Sequence, residues 1–203
     1  MTTMKVPSFA FVVLAGLSLS ACVSVKEPIG TSVGYVNDPA LEGLWLSAPD
    51  DKKPPSYIHV LANDDNTFTV VGVAQKHGDD KASWGVLQVT TVRLGANRYM
   101  NVHEVSEDGK PKEADGPDAN IPLLYTLSGD TLSLFAFDDK KTKDAIKAGR
   151  IEGKITQNKF GTGSYDTVAI TADGPHLDAF LKAMDAPDLF GPVMVLHRVP
   201  PPR

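Results

Sequence analysis

Residues 121–137 read IPLLYTLSGDTLSLFAF and carry the clearest strand pattern in the chain. Two apolar runs, 121–128 and 131–137, flank Ser128-Gly129-Asp130, whose residues tolerate the positive φ angles of a tight turn. Both faces of the second run are largely apolar. The segment therefore predicts a β-hairpin.

Similar runs rich in Val, Thr, Tyr and Leu recur every 10 to 15 residues on either side of this hairpin. Asn63-Asp64-Asp65-Asn66 and Gly95-Ala96-Asn97 supply further turns between such runs. This pattern is typical of an all-β barrel or sandwich. We expect neighbouring strands to pair in sequence order, so that an up-and-down meander of eight or more strands closes into a barrel without exposed edges. The expected strands are 42–48, 56–63, 66–75, 83–94, 97–104, 121–128, 131–137, 152–160, 164–171 and 193–199.

Two helices are expected to interrupt the strands. The later one, over 175–184, has apolar residues at i, i+3, i+4 and i+7, which is the spacing of an amphipathic helix. Pro175 fits its first turn, and Pro187 ends it. A shorter, charged helix is expected over 140–148, and 193–199 is expected as the final strand. The fold class is therefore mainly β, with a late amphipathic helix and a last strand.

Gly43-Leu44-Trp45 opens the first expected strand. A Gly-x-Trp at this place, followed by a meander, a late helix and one more strand, resembles the lipocalins and the wider calycin group over roughly residues 40–199. The resemblance implies a lipocalin-like antiparallel up-and-down barrel in which the indole of Trp45 lies across the bottom. It also makes Arg198 the candidate to stack on Trp45.

The first 22 residues combine Lys5, an apolar run from Phe9 to Leu19, and Leu19-Ser20-Ala21-Cys22. The run is about half the length of a membrane-spanning helix, which favours a cleaved segment. This stretch resembles the signal peptide and lipobox of bacterial lipoproteins, and the alternative is an ordinary secretory peptide with a chance cysteine at its end. The resemblance implies removal of residues 1–21 and acylation of Cys22, which would hold the protein to a lipid bilayer.

The same resemblance implies outer-membrane sorting, because Val23 rather than Asp follows the cysteine, with the domain facing the periplasm or the cell surface. Residues 22–38 are small, polar and punctuated by Gly and Pro, so we expect the lipidated cysteine and a flexible tether there. Residues 39–203 are then a single β-barrel domain.

Charge and cysteine content exclude some functions. The formal net charge of −5 makes nucleic acid an unlikely partner. Cys22 is the only cysteine, so there can be no disulfide and the domain depends on its hydrophobic core. A mixed-charge run between residues 138 and 154 is interpreted as a solvated face, with anionic headgroups or glycans as the alternative.

Aromatic residues are spread about one per expected strand, as in a packed core or in the walls of an apolar cavity. Eight-stranded barrels are close to the size at which side chains fill the interior or leave room for one small ligand. The sequence leaves the choice between a filled and a hollow barrel open. The candidate lining residues are Trp45, Tyr57, Phe68, Trp84, Tyr99, Tyr125 and Phe135.

Metal and catalytic motifs give weaker signals. The five histidines lack the spacing of a zinc site, so we expect no metal. The acidic loop 105–120 is a solvated loop, a mobile lid or partner contact, or a cation site, and it does not follow the Ca²⁺-loop spacing. Residues 161–165, GTGSY, lack the Gly-x-Ser-x-Gly order. We therefore expect neither an enzyme nor a cofactor.

Two functions remain. The first is a membrane-anchored, non-enzymatic binding module that holds a small apolar or amphipathic ligand inside the barrel. The second is a structural or assembly lipoprotein of the cell envelope that contacts another protein through its outer face or the 105–120 loop. The barrel would then be solid.

Overall fold

The computed structural model describes residues 23–47, 55–75, 82–112, 120–160, 163–183 and 188–200. Most of them lie in strands. A 3₁₀ turn, Pro39–Leu41, precedes the second strand. The elements are β1 (Val23–Val25), β2 (Gly43–Ser47), β3 (Ser56–Ala62), β4 (Thr67–Gln75), β5 (Ala82–Leu94), β6 (Asn97–Glu107), β7 (Lys110–Pro111), β8 (Ile121–Ser128), β9 (Thr131–Phe137), α1 (Asp139–Lys147), β10 (Gly153–Phe160), β11 (Gly163–Ile170), α2 (Gly174–Ala183) and β12 (Phe190–Arg198).

Eight of these strands form a closed antiparallel barrel. Its order is β2-β3-β4-β5-β6-β8-β9-β12, and β12 pairs back onto β2 to complete the ring. Every pair of neighbours in the ring except β12–β2 is also consecutive among the ring strands along the chain, so the barrel is an up-and-down meander. The predicted fold class is confirmed, including the late helix and the final strand.

The strands expected at 152–160 and 164–171 exist as β10 and β11, but they do not enter the barrel. They pair with each other, and β11 also pairs in parallel with β1 to make a separate three-stranded sheet. The β10–β11 hairpin and both helices are inserted between β9 and β12, whereas β1 precedes the barrel strands in the chain. The expectation that all neighbouring strands pair in one meander is therefore wrong for this hairpin.

The inserted elements cover one outer side of the barrel. Outward-facing residues of β5, β6, β8 and β9 form a buried cluster with residues of β1, α2 and β11. Phe137 of β9 stacks on Phe190 with ring centroids 4.4 Å apart. Burial of apolar side chains is the main favourable term in folding. This explains why the outer face of 131–137 also carries apolar residues. A second cluster lines the barrel interior.

Residues 23–38, here called the N-terminal strap, are not a flexible tether, and that prediction is corrected. Val25 and Ile29 are buried in the outer cluster. Ile29 exchanges two hydrogen bonds of 2.8 Å with the side chain of Asn101 on β6. Asp178 of α2 accepts from the backbone N–H groups of Gly30 and Ser32 at 2.7 and 3.0 Å. The strap is therefore part of the folded domain.

Candidate functional site

One end of the barrel is closed. At the closed end, short turns of a few residues join β3 to β4, β5 to β6 and β8 to β9. There Trp45 is fully buried and its indole N–H donates to the carbonyl oxygen of Leu41 at 2.8 Å. The guanidinium carbon of Arg198 lies 4.2 Å from the centroid of the Trp45 ring. The expected stacking of Arg198 on Trp45 is confirmed.

Gly43 is the residue that makes this stack possible. Its φ angle is +120°, a value that L side chains rarely adopt, and a methyl group there would lie 2.9 Å from Nη1 of Arg198. Arg198 also donates to the carbonyl oxygens of Ala40 and Glu42. A cationic side chain thus joins the last strand to the 3₁₀ turn and closes the bottom of the barrel.

Above this floor the interior holds a cavity of about 70 Å³. All of its sixteen lining residues are apolar, and they come from the seven strands β3, β4, β5, β6, β8, β9 and β12 and from the 3₁₀ turn. They are Leu41, Ile58, Val60, Phe68, Val70, Leu87, Val89, Met100, Val102, Ile121, Leu123, Leu132, Leu134, Val193, Met194 and Leu196. Such a space suits an apolar molecule better than ordered water, which needs polar partners.

Of the seven aromatic residues predicted to line the interior, Phe68 alone borders this cavity. Trp45 and Tyr125 also belong to the inner cluster. The hydroxyl of Tyr125 donates to Asp38 at 2.9 Å, and burial, followed by this hydrogen bond, raises the pKa of the phenol well above its usual range. These two residues build the interior below the ligand space.

The other four predicted lining residues face outward, and the prediction is wrong for them. Tyr57 and Trp84 are 49% and 41% exposed on the outer surface. Tyr99 is fully buried beneath the outer layer, and Phe135 packs against the same cluster. Burial raises the pKa of Tyr99 to about 12. The reason is strand parity, because one aromatic residue per strand says nothing about which face each occupies.

The aliphatic lining residues were missed although their signal is visible. On β4, Phe68 and Val70 alternate with half-buried neighbours, and on β5 Leu87 and Val89 alternate with Gln88. This period of two marks one face of a strand as interior. Extending it across the neighbouring strands would have located the cavity wall.

The opposite end of the barrel carries charged residues, and the structure describes part of the acidic loop here, residues 105–112 and 120. The Lys112 ammonium lies 2.7 Å from Glu107 and 3.7 Å from Glu104. We call these three residues the charged rim. Burial raises the pKa of Glu104, and the hydrogen bond from Lys112 to Glu107 raises the pKa of Lys112.

The histidines within the described ranges do not form a metal site. Nδ1 of His176 lies 2.6 Å from Oδ1 of Asp173, and Nδ1 of His197 lies 3.5 Å from Oγ1 of Thr131. His77 lies outside the described residues. Within the described ranges, no three His, Cys, Asp or Glu side chains are grouped so that they could hold a metal ion. None of the described helices is long and apolar enough to cross a membrane.

Comparison with known proteins gives no relative. No family model, no curated protein and no solved structure matches this chain. The cavity and its surroundings are therefore the features that indicate a function.

Proposed function

We propose that this protein is a membrane-anchored, non-enzymatic binding module, with a lipocalin-like barrel that holds a slender apolar or amphipathic ligand. The observation that carries the proposal is the wholly apolar cavity inside a closed barrel. An empty space of this size costs on the order of 1–2 kcal/mol of stability, at about 24 cal/mol per Å³. A ligand that fills it recovers that free energy.

The size of the cavity limits the ligand. At about 70 Å³ it has roughly half the volume of an engineered apolar cavity, near 150 Å³, that binds benzene. Drug-sized ligands occupy pockets of about 300–1,000 Å³. We therefore expect part of a single aliphatic chain rather than a ring system.

The ligand-binding role is tested with paired variants on one strand. Val70 lines the cavity, whereas its neighbour Val71 is half-buried and lies on the opposite face of β4. Val70→Phe fills the cavity, so we expect it to weaken binding of n-octanol at least tenfold by titration calorimetry. Val71→Phe adds the same volume outside and should bind like the parent. Equal octanol binding by both variants would contradict an interior site.

Anchoring through acylated Cys22 is the second part of the proposal. The sequence features of residues 1–22 support it, and the structure adds a consequence. Cys22 immediately precedes β1, whose Val23 pairs with Val168, so an acyl chain on Cys22 would hold the domain directly against the bilayer. Cys22→Ser should move the protein from the outer-membrane fraction to the soluble periplasmic fraction. Retention in the membrane fraction would show that acylation is not the anchor.

A second candidate function, docking to another envelope protein, is favoured by one feature of the outer face. Tyr57, Val73 and Trp84 are cross-strand partners on β3, β4 and β5, and each is more than a third exposed. Adjacent exposed apolar residues are typical of interaction surfaces. A photo-crosslinker at Tyr57 should capture one defined protein in intact cells if this role holds, whereas a crosslinker at the exposed Glu152 serves as control.

A further inference from the structure

A β-bulge at the end opposite Trp45 places two acidic side chains on the inner face of the barrel. In a regular strand, residues three apart point to opposite faces. In β6, however, Glu104 pairs with Leu87 and Glu107 pairs with Gly85, with the register shift between them. Leu87 lines the cavity, and cross-strand partners share a face. The bulge at Val105 therefore directs both carboxylates inward.

The charge of the rim is incompletely balanced. One ammonium, that of Lys112, serves two carboxylates and contacts the Oε2 atom of each. All three side chains are less than a third exposed, so solvent compensates the remaining negative charge only in part. Burial, and then the neighbouring Glu107, also disfavour the ionised form of Glu104. A second cation would remove this imbalance.

An unpaired hydroxyl lies nearby on the same face. Ser83 is 3% exposed, and its Oγ has no hydrogen-bond partner within the described part of the chain. It lies two residues from Gly85, on the inner side by strand alternation, and is thus a diagonal neighbour of Glu107, typically about 7–8 Å away between Cα atoms. A buried hydroxyl without a partner is costly, and a bound polar group would satisfy it.

We propose that the charged rim and Ser83 bind the cationic head group of a single-chain amphiphile, a primary alkylammonium, whose tail enters the apolar cavity. The inference rests on the proposed ligand cavity and specifies the ligand class. An ammonium group donates three hydrogen bonds, which matches the two carboxylates and the hydroxyl. A carboxylate head group would be repelled by Glu104 and Glu107, because Lys112 is already engaged by both.

The test compares three eight-carbon probes that differ only in the head group: n-octylamine, n-octanol and octanoate. Calorimetry with the Cys22→Ser full-length protein at neutral pH should give an affinity for octylamine at least about tenfold higher than for octanol, as expected for charge-assisted hydrogen bonds. Octanoate should bind more weakly than octanol. Equal affinities for amine and alcohol, or tightest binding of octanoate, would overturn the inference.

Variants assign the preference to the rim. Glu104→Gln and Glu107→Gln keep side-chain shape and should each reduce the affinity for octylamine several-fold more than the affinity for octanol. Glu152→Gln, at an exposed residue before β10, removes the same charge elsewhere and should change neither affinity.

If octanol binds and Val70→Phe abolishes that binding, but octylamine binds no more tightly than octanol, then the cavity function stands and the head-group site fails. If none of the probes binds to folded protein, both fail.

Discussion

At the residue scale, the stack of Arg198 on Trp45 shows how a short motif acts. Gly43 provides the positive φ and the space, Trp45 provides the ring, and Arg198 joins two distant segments of the chain. The guanidinium fork donates to two carbonyl oxygens at once, which a lysine cannot do with the same geometry. This part of the structure was predictable because the motif is local and its partner was suggested by resemblance.

Replacing Arg198 should open the closed end. We expect Arg198→Ala to lower the free energy of unfolding by about 2–3 kcal/mol, from the lost cation–π contact and two charge-assisted hydrogen bonds. Arg198→Lys should recover only part of that loss. Urea unfolding followed by tryptophan fluorescence measures this, in a Trp84→Phe background so that Trp45 is the sole reporter. An unchanged midpoint for Arg198→Ala would show that the stack contributes nothing.

Glu104 should make stability depend on pH in a defined direction. Burial raises its folded-state pKa above the ordinary value for a glutamate, so the folded protein binds more protons than the unfolded chain between the two pKa values. The free energy of unfolding then falls as pH rises through that window. We expect Glu104→Gln to remove this part of the decline and to be at least as stable as the parent at neutral pH.

Chemical unfolding at several pH values from about 4 to about 8 checks this expectation, with Glu152→Gln as the charge control. A Glu104→Gln variant that is clearly less stable than the parent at neutral pH would mean that the ion pair with Lys112 outweighs the cost of burial. The charged rim would then stabilise the fold, instead of holding an unfavourable arrangement of charges that a ligand relieves.

At the scale of elements, the strap and the inserted β10–β11 hairpin determine which barrel face is covered. Three residues of β1 carry too little pattern to be recognised as a strand, and the strap is fixed by contacts to residues far along the chain, such as Asn101 and Asp178. Polar composition therefore favoured a tether. Similarly, the alternation of β10 and β11 indicated strands without indicating which sheet they join, because pairing partners are not encoded in a local period.

The strap makes a direct prediction about stability. Asp178→Ala leaves the buried N–H of Gly30 without an acceptor, at a cost of roughly 1–3 kcal/mol, and removes the acceptor of the partly buried Ser32 N–H. We therefore expect residues 23–38 to detach. Gly30→Ala should act in the same direction, because a methyl group there would lie 2.6 Å from a Val92 methyl carbon. Limited proteolysis should cut both variants first within the strap. A cleavage pattern identical to that of the parent would show that these contacts do not hold it.

At the scale of the whole molecule, the structure is a barrel with two apolar cores, one inside and one between the barrel and its outer layer. The fold class, the closure of the barrel and the closed end could be predicted from strand spacing, turn residues and the Gly-x-Trp motif. The cavity wall was not predicted, because the prediction used the aromatic residues, whereas the wall consists mainly of aliphatic residues that alternate along the strands. The rim could not be anticipated either, since a single bulge at Val105 decides which way its carboxylates point.

The central claim is that the interior of the barrel receives an aliphatic chain. Intermolecular nuclear Overhauser effects between bound n-octylamine and methyl-labelled protein test it most directly. We expect contacts from the tail to Leu87 and Leu123, which line the cavity, and none to Val73 on the outer surface. Contacts restricted to Val73 and its exposed neighbours, with silent interior methyl groups, would contradict the account and leave the outer face as the functional surface.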